Sequence, residues 1–185
     1  MKASLSRSAI SALLLVPVLC FWVPGIVHAG GPESYDFTIG VGRNLNSGCS
    51  TEQVLLIPAA QWSIDRIPSL KLRLEGPLEI INHDGTLTVV VGVAPMVRLF
   101  LAPGSESGFF IEGGAGANYI SRQSIGSRDL GGSFIFSPSG GAGYVFSRKG
   151  RDCALSLRYR HISNAGIYSE NAGMDSLYLM GTISF

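Results

Sequence analysis

Charge is scarce in this chain of 185 residues: Asp and Glu number 13, Lys and Arg 14, together 15% of the residues, for a net charge of +1. So even a balance leaves no basic stripe and argues against a nucleic-acid partner. Histidine is scarcer still, with only His28, His83 and His161. No cluster has the spacing of metal ligands, so no metal or other cofactor is expected. Past residue 29, no apolar run approaches the ~20 residues that a membrane helix needs.

Apolar residues are nevertheless 46% of the chain, and glycine is abundant at 24. The first 29 residues read as a secretory signal. Lys2 and Arg7 form a basic start, Ile10 to Val23 a short apolar core, and Val27-His28-Ala29 a small-residue cleavage site before Gly30. Leu19 is bulky where the lipoprotein alternative, with Cys20 as anchor, requires a small residue. Residues 30–185 then make one domain.

The greasiness of that domain falls on alternate positions, as in strands with one apolar face. Eight segments show it: Tyr35–Arg43, Gln53–Trp62, Ser69–Ile81, Thr86–Leu101, Gly108–Ile120, Leu130–Phe146, Cys153–Ser163 and Asp175–Phe185. In the third, Leu70, Leu72, Leu74, Leu78 and Ile80 oppose Lys71, Arg73, Glu75 and Glu79. A β-sandwich also carries such an apolar face. Charges of both signs among glycines on the opposite face suit the polar, side-chain-filled lumen of a small barrel better. The expectation is all-β: an eight-stranded antiparallel transmembrane β-barrel of the cell outer membrane. Leu72, Val91, Leu157 and Leu179 would face lipid, and Arg73, Glu112 and Arg158 the lumen.

Connections alternate in length. Those near Ser63–Pro68, Ala102–Ser107 and Ser147–Asp152 are short, those at Asn44–Glu52, Ser121–Asp129 and Asn164–Met174 longer, and Asn82–Gly85 is the exception. Longer loops belong outside, and an even strand count puts both termini in the periplasm. Cys49 then lies in an external loop and Cys153 at the periplasmic side. Some nine residues of strand separate those levels by about 30 Å before tilt. A disulfide needs Cα atoms under about 7 Å apart, so none is expected. Gly113-Gly114-Ala115-Gly116 and Gly140-Gly141-Ala142-Gly143 lack the lysine and the strand-to-helix setting of a phosphate loop. Relief of crowding in a tightly curved barrel accounts for them better.

The last 25 residues carry the chemistry. His161 and Ser163 share the apolar parity of their strand with Leu155, Leu157 and Tyr159, and Asp175 opens the next strand on the same parity. A serine is a poor nucleophile unless a base takes its proton, and a carboxylate best orients that base. A His and Ser hydrogen-bonded to lipid headgroups would be the ordinary alternative. Asp175, the shared outward face and the membrane level, where unpaired polar groups are costly, favour acyl-transfer chemistry. Arg43, Arg122 and Arg128 lie in or beside the expected external loops, where solvation explains them and phosphate contact is the alternative.

The run His161-Ile-Ser163-Asn164-Ala165-Gly166, followed by Asn171-x-Gly173-Met-Asp175-Ser-Leu, resembles the active-site end of the lipid A 3-O-deacylase (PagL) family. Phe110-Ile-Glu112-Gly-Gly-Ala-Gly116, Leu130-Gly-Gly-Ser-Phe134 and Gly141-Ala-Gly143 extend the match upstream. It covers the carboxy-terminal half well, and the amino-terminal half by strand pattern only.

The resemblance implies an outer-membrane barrel that hydrolyses the 3-O-linked acyl chain of lipid A in lipopolysaccharide without a metal. Its partners would be that substrate and membrane lipid, with a second copy of the chain in a homodimer also compatible. Carried over, Ser163 is the nucleophile, His161 the base and Asp175 the orienting acid. Asn164, Gly166 and Asn171 match the loop from which an oxyanion hole is expected. The family pattern has Glu where this chain has Asp175, which makes Glu170 in the same loop a second candidate acid. The rival readings are a non-catalytic barrel for lipopolysaccharide binding or adhesion, and an esterase acting on phospholipid.

Overall fold

The computed structural model describes residues 31–102 and 107–185. The expected signal peptide, residues 1–29, lies outside the described residues, as does most of the turn at Ala102–Ser107. Among the described residues the chain forms eleven strands. They are β1 (Ser34–Asn44), β2 (Glu52–Ser63), β3 (Leu70–Glu75), β4 (Leu78–His83), β5 (Thr86–Phe100), β6 (Gly108–Ile120), β7 (Ser124–Ile125), β8 (Arg128–Asp129), β9 (Phe134–Arg148), β10 (Arg151–Ile162) and β11 (Met174–Ser184).

Nine of these make eight membrane spans, because β3 and β4 are one span interrupted at Gly76 and Pro77, while β7 and β8 form a separate hairpin. Glu75 opposes Ala59 and Ala94, and Leu78 opposes Leu56 and Val91, so the register runs through the break without a slip. Proline has no N–H to give the ladder, so one donor is missing there, while Gly76 N–H bonds the Pro58 carbonyl at 2.9 Å, Gly92 N–H bonds the Pro77 carbonyl at 3.1 Å, and parity is kept. Every pairing is antiparallel, and β1 pairs with both β11 and β2, which closes the sheet. Closure leaves no row of unpaired backbone groups facing hydrocarbon.

Side chains alternate across this wall as expected. Val91, Leu157 and Leu179 are exposed on the outside, while Arg73, Glu112 and Arg158 are buried within. The interior is filled in layers. Toward the end that holds both termini, Phe100, Phe110, Val145 and Ala154 pack together. The middle is ionic. Arg158 forks onto Glu75 with bonds of 2.7 and 2.9 Å, and its Nε donates to Glu112 at 3.1 Å. Arg98 donates to the other Glu112 oxygen at 2.8 Å, and Arg73 pairs with Asp36. The glycines make room for this filling. A Cβ on Gly141 would lie 2.5 Å from the Leu157 carbonyl, and one on Gly143 would lie 2.5 Å from the Phe110 ring.

The far end is sealed by apolar side chains, among them Cys49, Ile81, Val90, Ile125, Leu130 and Met174. Here the structure departs from the expected strand limits. The sixth span begins at Phe134 rather than Leu130, because residues 121–133 fold back through the small β7–β8 hairpin. Leu130 is buried in the seal instead of lining a strand. Cys49 and Cys153 are free and lie at opposite ends: Cys49 Sγ meets the Ile125 carbonyl at 3.4 Å, and Cys153 stands opposite Phe146 and Ile183.

Candidate active site

The ladder between β10 and β11 sets His161 directly opposite Asp175. Both side chains leave the outer face near the loop end of the barrel. His161 Nδ1 lies 2.8 Å from Asp175 Oδ1, and the two side chains remain 34% and 29% exposed, open to a lipid but not solvent-swept. Direct cross-strand pairing explains why the shorter aspartate suffices: neighbouring strands lie about 4.8 Å apart, within reach of a one-methylene acid.

The carboxylate has further partners. Tyr159, two residues before His161 on the same face, donates its hydroxyl to Asp175 Oδ1. Asn46, from the β1–β2 loop, grips Asp175 twice. Its Nδ2 donates to Oδ2 at 2.8 Å, and its Oδ1 accepts the Asp175 backbone N–H at 2.7 Å. Nothing in the sequence near Asp175 pointed to Asn46, which lies 129 positions away. Gly173 lies against the imidazole. Its φ is +58°, a left-handed value that favours glycine, and a Cβ there would stand 3.0 Å from His161 Cε1 and 3.5 Å from Nε2.

Ser163 is held by a backbone bridge to Phe136, with N–H to carbonyl bonds of 2.7 and 3.1 Å in the two directions. It shares the outward parity of His161. Among the described residues no hydrogen bond reaches Ser163 Oγ or His161 Nε2, so the imidazole is fixed at one nitrogen and open at the other. Phe134 and Phe136 meet edge to face at 5.2 Å between centroids beside the serine. With Tyr159 and Leu177 they make an apolar outer wall.

The loop after Ser163 is tied inward. Asn164 is fully buried. Its amide donates to the carbonyls of Leu130, at 2.7 Å, and Glu170, and its Oδ1 accepts the Gly166 N–H at 2.7 Å. The Asn164 N–H goes to Asn171 Oδ1 at 2.9 Å. Asn164 and Gly166 thus have their N–H groups engaged in building the loop. Asn171 Nδ2 carries no hydrogen bond among the described residues. Glu170 enters this network through its backbone carbonyl, and the acid that meets the imidazole is Asp175. Arg128 clamps the same loop from the β7–β8 hairpin, donating to the Ala172 and Gly173 carbonyls at 2.8 Å each. Among the described residues, no group of three or more His, Cys, Asp or Glu side chains is placed to hold a metal ion.

Comparison with known proteins adds the following. The family model described as Lipid A 3-O-deacylase (PagL) matches residues 38–183. Lipid A deacylase PagL of Bordetella bronchiseptica is 38% identical over 77 residues, which is 42% of this chain and 42% of that protein. The chain therefore aligns with under half the length of that relative. Among solved structures, the outer membrane enzyme PagL superposes with a TM-score of 0.60 at 24% identity, over 80% of this chain and 97% of that one. Neisserial surface protein A (NspA) superposes at 0.51 with 15% identity, over 82% of this chain and 94% of the other. At such identities the two superpositions speak to the fold.

Proposed function

The chain belongs to the lipid A 3-O-deacylase (PagL) family, and we propose that it is an outer-membrane serine esterase that removes the 3-O-linked acyl chain from lipid A. The observation that carries this reading is the 2.8 Å contact of His161 with Asp175 on the lipid-facing side of the barrel. An aspartate on Nδ1 places the neutral ring's proton there and leaves Nε2 as the base. Ser163, next outward residue on the strand, gives its proton to Nε2 as Oγ attacks the ester carbonyl. Catalytic hydrogen bonds of this kind tighten when substrate is bound.

The tetrahedral oxyanion needs donors pointing from the loop. Asn171 is the predicted loop residue with an unengaged donor. Collapse breaks the bond to the sugar oxygen, which takes the proton from His161 Nε2 and departs as the 3-hydroxyl. Water, deprotonated by the same nitrogen, then cleaves the acyl-serine and frees the fatty acid. Tyr159 and Asn46 hold the carboxylate so that His161 stays upright through both halves. The acyl chain lies along Phe134, Phe136 and Leu177, where the bilayer already keeps water out.

The test is lipid A mass spectrometry after incubation with the purified protein in detergent. One 3-O-linked hydroxyacyl chain should disappear, and Ser163→Ala should abolish that loss. Fatty acid released from phospholipid instead would move the substrate class. No product from either lipid, with lipopolysaccharide still bound, would make the protein a binding barrel.

A further inference from the structure

The three arginines at the loop end differ in what they do. Arg122 Nε donates to the Leu87 carbonyl at 3.0 Å, and Arg128 clamps the loop behind Ser163. Arg43 has neither task. It is exposed at the end of β1, and among the described residues no carboxylate or carbonyl takes its guanidinium. Glu52 is its cross-strand neighbour on β2, yet the Glu52 contact is with Asn82, at 3.5 Å. Val41, Leu45, Val54 and Leu177 surround it, all exposed and apolar. A guanidinium on such a surface is costly unless an anion meets it at the level of the headgroups.

Its position relative to the site is fixed by register. Arg43 pairs with Leu177, and Leu45 N–H donates to the Asp175 carbonyl. Arg43 therefore stands one strand across and two residues along from Asp175 on the same outer face, about 8 Å between Cα atoms by strand spacing and rise. A depression of about 320 Å3 opens there, lined by Arg43 and Leu45, by Asn46, which grips Asp175, and by Gly48, Cys49 and Ser50. The free guanidinium thus borders the same hollow as Asn46, the residue that holds the Asp175 carboxylate.

We infer that this hollow is a subsite for a phosphate monoester, with Arg43 as its ligand, and that the phosphate is carried by the sugar whose ester reaches Ser163. The inference rests on the deacylase reading for the identity of the lipid. A guanidinium suits the role because its planar fork meets phosphate oxygens two at a time. Phosphate on Arg43 would fix the sugar ring from one side while the acyl chain lies toward Phe136 on the other.

Binding separates this subsite from the chemistry. With Ser163→Ala protein in neutral detergent, diphosphorylated lipid A should bind about tenfold more tightly than the same lipid lacking the phosphate on the ester-bearing sugar, as one charge-assisted contact supports. Arg43→Ala on that background should erase the difference, and Arg43→Lys should restore part of it. In the protein with Ser163 intact, Arg43→Ala should raise KM for the phosphorylated lipid with little change in kcat. An equal loss with both lipids, or none, would overturn the subsite. So would recovery of dephosphorylated-lipid binding when phosphatidylglycerol is added, since a neighbouring headgroup would then be the ligand. If the intact protein hydrolyses neither lipid while the Arg43-dependent binding difference persists, the subsite stands and the deacylase reading falls.

Discussion

The same arrangement, a basic side chain facing a carboxylate, occurs in two regions of this barrel with opposite consequences. In the lumen Arg158 is fully occupied: its fork covers Glu75, its Nε reaches Glu112, and Glu112 is shared with Arg98. On the outer face His161 meets Asp175 through one nitrogen only. Buried ions need every partner, because an unpaired charge in low dielectric costs several kcal/mol. A catalytic base needs one position left open for the proton it will take. On the proposed mechanism the lumen thus serves the fold and the outer face the chemistry, although both set a basic side chain against a carboxylate.

The sharpest way to break the comparison is to cut each region once. Ser163→Ala and His161→Ala should each lower deacylation by on the order of 10⁴-fold or more, as for a nucleophile and base acting together. Both side chains sit on the surface, so unfolding in urea should shift by less than about 0.5 kcal/mol. Arg158→Ala should do the reverse. It leaves Glu112 to Arg98 alone and Glu75 to a 3.5 Å contact with Arg73, and should destabilise the barrel by about 3–5 kcal/mol, read from urea unfolding and from heat-modifiable mobility on gels. Turnover per folded molecule should stay near that of the unaltered protein. If Arg158→Ala instead silenced the folded fraction, the lumen would be part of the chemistry and the division would fail.

Gly173→Ala probes the border between the regions. The new methyl would press on His161 Cε1 at a left-handed φ, tilting the ring away from Asp175. We expect kcat to fall by about tenfold to a hundredfold, the scale of a small misplacement of a catalytic group. Retained activity would mean that the loop shifts to accommodate the methyl.

Much of this was legible in the sequence because alternation survives wherever a strand is half buried. The parity of Leu72, Arg73 and Glu75 is the same on the page and in the wall, even across Pro77, which removes one donor from the ladder but keeps the register. Alternation could not show that Leu130 leaves the wall. An apolar side chain that seals the barrel mouth looks the same in sequence as one that faces lipid. Asp175 as the partner of His161 was readable from two strands and one loop length. The loop residues Asn164 and Gly166 were matched by resemblance to an oxyanion loop, but what their N–H groups bond was not readable, since N–H direction depends on local φ and ψ that no spacing reveals. Asn46 was invisible because sheet closure, not proximity in the chain, brings β1 beside β11.

Asn46 also supplies the finest test. Asn46→Ala removes one bond to the Asp175 carboxylate and another from its backbone N–H, while Tyr159 and the cross-strand register remain. The aspartate keeps its charge and its contact with His161 but gains freedom to turn. Loss of one net hydrogen bond is about 1 kcal/mol, so kcat should fall roughly fivefold with KM little changed. Asn46→Asp would put a second carboxylate against Asp175 and should cost more than the alanine. Asp175→Glu restores the acid of the family pattern, yet it must fit beneath an Asn46 placed for the shorter side chain. Activity of Asp175→Glu should therefore rise when Asn46→Ala is added, although Asn46→Ala alone lowers it. Simple multiplication of the two effects, measured as kcat across the four proteins, would show that Asn46 does not act through the carboxylate.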